Sequence, residues 1–156
     1  MKKILLILLL SLSINAQQHY TYLIDEYDKV IELEAKIISK IAKDILKDKE
    51  INLFIPDIKD IDKKVYSKKV HIVDSCDKAN FIFVKYTSNL GNCYKINEKH
   101  LFTNNYKRLL HNHQYVGAFF WSKSRPNIIF IKDRLSKNNI ILSDEYKQFV
   151  EDYNEN

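Results

Sequence analysis

Cysteines and histidines are the residues of this 156-residue chain best suited to chemistry, and they are few: two Cys and five His. Cys76 and Cys93 lie 17 positions apart. An even count favours a disulfide in an oxidising compartment. Pairing requires Cα atoms within about 7 Å, so the loop from Ser88 to Cys93 must fold back on the apolar segment 81–86. A redox-sensing pair and two buried free thiols are the alternatives. His100, His111 and His113 could join a cysteine around a metal. His111 and His113 would share one strand face if extended, or face solvent at a helix end, where a cationic ring suits the dipole. Structural zinc sites show tighter cysteine pairs, so no metal is expected. His71, Asp74 and Ser75 are close in sequence, but no small-residue elbow surrounds Ser75, and a triad is defined by geometry. With only Gly91 and Gly117, a glycine-rich phosphate loop cannot be built. No catalytic residue, no cofactor and no enzyme activity are expected.

Aromatic and basic residues cluster near the C-terminus. Phe119, Phe120 and Trp121 are consecutive, so a strand would send Phe119 and Trp121 to one face and Phe120 to the other. One face must be core. The other is either covered as well or open to a partner, with Lys123 and Arg125 on the adjoining turn.

These residues depend on elements legible from periodicity. Residues 20–48 read as one long amphipathic helix, with Leu23, Tyr27, Val30, Ile31, Ile38, Ile41 and Ile45 among its apolar positions. A short strand over 51–55 stops at Pro56. Ile58, Ile61 and Val65 then recur at helical spacing. Segment 70–73 is a small strand. Residues 81–86 are a continuously apolar strand, hence central. Residues 101–103 are a weak strand, and Asn104 or Asn105 caps a helix carrying Tyr106, Leu109 and Leu110. Strands 115–121 and 128–131 form a hairpin with a four- to six-residue loop. A helical turn over 133–137 ends at Asn138-Asn139, and Ser143-Asp144 caps a last helix. The order implies an α/β fold: a small Rossmann-like layered domain with a mixed sheet, a long N-terminal helix and a C-terminal β-hairpin.

The first 16 residues have the form of a secretory signal peptide: Lys2-Lys3, an apolar run from Ile4 to Leu12, and Ala16 before Gln17. The run is short of the roughly 20 residues that span a bilayer. Residues 17–156 then form a single exported domain, periplasmic or otherwise, with no membrane insertion after cleavage. Losing Lys2 and Lys3 lowers the formal charge from +5 to +3. The charges are interleaved, as in 57–64, which argues against a nucleic-acid partner.

Four stretches carry a family likeness. Gly117-Ala118-Phe119-Phe120-Trp121, then Arg125-Pro126-Asn127-Ile128-Ile129-Phe130-Ile131, then Arg134-Leu135, then Asn139-Ile140-Ile141-Leu142-Ser143 resemble the ending of the YfiR-like periplasmic proteins. The order of elements over 20–150 is similar too, although the aromatic-Trp-Pro signature after the first helix is absent and Asn139 stands where glycine is usual. The resemblance implies a non-enzymatic regulator whose partner is an inner-membrane signalling protein such as a diguanylate cyclase. Phe119, Trp121, Lys123 and Arg125 are the expected partner-binding residues. A small-solute-binding protein serving a transporter or sensor is the alternative.

Overall fold

The computed structural model describes residues 27, 29–86, 88, 90, 93 and 98–153; the signal segment and the first turns of the expected N-terminal helix lie outside them. Among the described residues, five α-helices and seven strands follow in chain order: α1 (29–46), β1 (Asn52–Phe54), α2 (Asp60–Tyr66), β2 (His71–Ile72), β3 (Phe81–Val84), β4 (His100–Thr103), α3 (Tyr106–His111), β5 (Tyr115–Ser122), β6 (Arg125–Ile131), α4 (Lys132–Lys137), α5 (Asp144–Lys147) and β7 (Val150–Glu151). The strands form one mixed sheet in the order β2-β1-β3-β4-β5-β6-β7. Pairing is parallel from β2 to β5, antiparallel between β5 and β6, and parallel again between β6 and β7. The α/β class, the mixed sheet, the long first helix and the C-terminal hairpin are as the residue pattern predicts.

Strand alternation divides the core. Phe81 and Phe83 pack on one face with Phe102, Phe119 and Phe130, beneath α1. Ile82 and Val84 pack on the other with Leu101, Ala118 and Leu109 of α3. All four β3 residues are buried, which explains their unbroken apolar run. The middle of the seven strands is β4, not β3. A register shift opposite Leu101/Phe102 makes Val116 the extra residue of a bulge. It returns Tyr115 and Ala118 to the same face.

Three local expectations are corrected. The hairpin loop has two residues rather than four to six. Ser122 pairs with Arg125, leaving Lys123 and Ser124 with φ of 48° and 59°, the left-handed pair of a tight hairpin turn. Pro126 enters the strand opposite Trp121, the second pair from the turn; in a two-residue hairpin that position donates nothing to its partner, so Pro is tolerated. In α2, Ile61 faces solvent and Asp62 faces inward with Val65 and Tyr66. The last helix is one turn, after which Val150 and Glu151 extend the sheet beside β6.

Two punctuation residues act as their types predict. The Asn105 side chain caps α3 by accepting from Arg108 N at 3.0 Å. Asn139 ends the α4 segment with φ 53°. Gly117 is required for a different reason. A Cβ there would strike the Phe102 ring and lie 2.5 Å from the Ile129 carbonyl oxygen. Gly117→Ala is expected to cost about 1–3 kcal/mol by overpacking, read as a lower urea midpoint.

Candidate functional site

The parallel strands run β2-β1-β3-β4, so the chain moves outward from β1 to β2 and then crosses to β3 on the other side. The crevice at the carboxyl ends of β1 and β3 is where sheets of this kind place ligands. A buried charge cluster occupies that end. Lys85 follows the last residue of β3. Its ammonium lies 2.8 Å from Glu34 Oε1 of α1 and 2.8 Å from Asp62 Oδ2 of α2. All three side chains are essentially withdrawn from water. Tyr66 donates its hydroxyl to Glu34 Oε1 at 2.9 Å, and Tyr27 donates to Asp62 Oδ1 at 2.8 Å. The Tyr66 and Tyr86 rings flank the ammonium, with centroids 5.9 and 5.7 Å away.

The physical logic is mutual satisfaction. An ion buried alone would cost several kcal/mol, so each charge needs geometry and hydrogen bonds to remain ionised. Burial pulls the Lys85 ammonium down. Glu34 and Asp62 outweigh it, and the pKa is raised above 10.5. Burial and then Glu34 push the Tyr66 phenol well above its ordinary value, while burial and the Asp62 hydrogen bond raise Tyr27 to about 12. Two carboxylates face one ammonium, so the cluster holds its charges with two neutral phenols. These phenols stay protonated at neutral pH, and the arrangement joins α1, α2 and β3 in one network.

The rim above it is strained and aromatic. Tyr86 is exposed and has φ 47°, an uncommon conformation for a bulky residue. It is held by Asn104 Oδ1, which accepts from its N at 2.6 Å, and by Arg108 Nη2, which donates to its O at 2.7 Å.

Cys76 and Cys93 are joined as a disulfide, with Cα atoms 5.7 Å apart. The bond ties the 3-10 turn Cys76–Lys78 to the segment after β3. Cys93 is buried in the second core cluster. Among the described residues, no three of His, Cys, Asp and Glu gather where a metal could bind. His100 begins β4, where burial and then Lys49 lower its pKa; His111 Nδ1 lies 2.7 Å from the Lys107 carbonyl. His71 and Asp74 are exposed, and Asp74 pairs with Lys63 at 2.9 Å.

Of the four residues expected to meet a partner, Phe119 is corrected: it is fully buried in the core beneath α1. Alternation does put Trp121 on the same face, with its ring edge-on to Phe119 at 5.8 Å. Phe120 turns to the other face against Tyr106, so both faces are covered at this level. Trp121, Lys123 and Arg125 are exposed.

Sequence reasoning passed over Glu34, Asp62 and Lys85. Their signal was a charge interrupting an apolar stripe. Glu34 stands between Ile31 and Ile38, Asp62 three and four residues before Val65 and Tyr66, and Lys85 directly after four apolar strand residues.

No protein-family model matches the chain, and no curated protein matches it. One solved structure does: a conserved domain protein from Vibrio cholerae, with a TM-score of 0.52 at 9% identity. The match covers 78% of this chain and 59% of that one, so this chain spans less than two-thirds of the neighbour. The likeness supports a shared α/β fold.

Two outcomes test the cluster. Lys85→Met leaves two carboxylates uncompensated and is expected to cost about 3–5 kcal/mol in chemical denaturation; adding Glu34→Gln and Asp62→Asn restores part of the loss. Raising the pH provides the second test. Lys85, Tyr66 and Tyr27 hold protons more tightly folded than unfolded. The unfolded chain therefore releases them first, and their stabilisation is complete below about pH 10 and disappears as pH climbs through the folded values. Urea midpoints should hold up to about pH 10 and fall as the pH climbs towards about 12, less steeply in Tyr66→Phe.

Proposed function

We propose that this chain is an exported, non-enzymatic binding protein that controls the periplasmic part of an inner-membrane signalling protein, such as a diguanylate cyclase. The observation that supports this reading is the outer half of the β5–β6 hairpin. β4 last pairs with β5 at Ala118, and β7 pairs with β6 only at Phe130 and Ile131. Residues Phe119–Ser122 and Arg125–Ile128 therefore pair only with each other and stand clear of both neighbouring strands. The arm carries a half-exposed Trp121 braced by the buried Phe119, with Lys123 and Arg125 at its tip. A rigid aromatic beside an arginine is the composition of an interface anchor. The disulfide is consistent with an oxidising compartment. Among the described residues, no helix is long and apolar enough to cross a membrane. The resemblance to YfiR-like proteins supports the same reading and supplies the kind of partner.

A second reading, small-solute binding, has its own support. A cavity of about 710 Å³ opens at the opposite end of the sheet, lined by Ile45, Leu46 and Ile140 with Lys49, Lys99 and His100 among the polar groups. That volume suits a metabolite-sized ligand. A thermal-shift screen with metabolites separates the two readings.

Co-purification from detergent-solubilised membranes tests the first. Wild type should recover a membrane receptor, and Trp121→Ala with Arg125→Glu should weaken the complex by about 30-fold or more, as expected for a central anchor. Deleting the gene should change cyclic-di-GMP. Recovery unaffected by the double substitution, with unchanged cyclic-di-GMP, would count against docking through the arm.

A further inference from the structure

A second surface, unrelated to the hairpin arm, carries mainly positive charge. On α1, Lys29, Glu32, Leu33 and Lys36 fall at steps of three and four, and so share one stripe. Facing them across a groove are Val65 of α2 and Lys68 and Lys69 of the turn that follows it. The groove encloses about 310 Å³, room for one or two side chains. Its floor is apolar: Val65 is buried and Leu33 is 39% exposed. Lysines stand on both walls. Among the described residues, none of Lys29, Lys36, Lys68 and Lys69 has an ion-pair partner. Glu32 is the one carboxylate in the lining. Lys68 and Lys69 also line a neighbouring hollow with Lys63, Lys64, His71 and one carboxylate, Asp60, so a mainly basic tract continues round α2 to the edge strand β2.

We propose that this groove docks an acidic peptide segment of a partner protein, placing one apolar side chain on Leu33 and Val65 with its flanking carboxylates on the lysines. Charge complementarity decides the occupant. A nucleic acid would be met by arginine forks and stacking aromatics, and the lining contains neither. A bilayer would be met by large apolar side chains projecting from a flat basic face; here the apolar residues form the floor of a hollow. The two walls are also tied to each other, because Tyr66 of α2 bonds to Glu34 of α1. The groove is thus formed before any partner arrives, which lowers the ordering cost of binding.

Fluorescence anisotropy on the full oxidised chain tests this, with a fluorescein-labelled peptide of glutamates around a single leucine. Saturable binding is expected. Lys36→Glu with Lys69→Glu should weaken it by about tenfold or more, since both walls lose attraction and gain repulsion. Leu33→Ser should weaken it without altering its salt dependence, and raising salt from about 50 to about 500 mM should weaken the wild type. Both sets of substitutions are at exposed positions, and unchanged circular dichroism and Tm confirm folding. Trp121→Ala should leave peptide affinity unchanged, so failure of the hairpin reading and failure of this one are separable. Equal binding by the charge-reversed variant, no saturable binding, or binding only to phosphatidylglycerol vesicles would each overturn the proposal.

Discussion

Lys85 must keep its charge in a place that water scarcely reaches, and much of the molecule is arranged around that requirement. The ammonium leaves the carboxyl end of a buried strand and meets one carboxylate from each of two helices. Neither carboxylate would be tolerable there alone. Both accept a tyrosine hydroxyl as well. The result is less a source of net stability than a constraint on arrangement, because only one placement of α1 and α2 over β3 satisfies all the groups.

The sheet distributes two roles to its two halves. Its parallel half is short-stranded and covered on both faces, with the charge cluster at the carboxyl end of β3 and the disulfide joining the segments on either side of that strand. Its antiparallel half contains the longest strands, which continue beyond their neighbours. A line of rings from Phe81 through Phe102 and Phe130 to Tyr146 links the halves within one face of the core, with centroid separations of 5.6–6.1 Å. Gly117 makes that line possible by leaving space between Phe102 and Phe130. A buried Arg134 joins the remaining pieces, with Nη1 donating to the carbonyls of Leu109, Asn112 and Tyr115. That binds α4 to the connection between α3 and β5, immediately before the hairpin. The proposed docking arm thus grows from a braced base, as a rigid anchor requires.

Both proposed interaction surfaces follow one physical pattern. An exposed residue is fixed by a buried one: Trp121 by Phe119, and the walls of the basic groove by the Tyr66–Glu34 bond. Such bracing reduces the conformational entropy that binding must overcome.

The residue pattern by itself determined the α/β class and the order of elements up to the last helix, since hydrophobic periodicity and caps such as Asn105 and Asn139 act over a few residues; it favoured the cysteine pair without deciding it. Turn chemistry was legible only in part. Lys123-Ser124 lacks the Gly or Asn that usually marks a two-residue turn, and Pro126 hid a strand whose free edge accommodates it. Which strand lies at the centre, and which of Phe119 and Trp121 stays exposed, depended on neighbours far away in the chain. The same holds for Glu34, Asp62 and Lys85. Their partners lie 23 to 51 residues apart, and a charge's partner across that distance is chosen by packing, where the cost of leaving an ion bare in the interior selects the one arrangement that brings all three together.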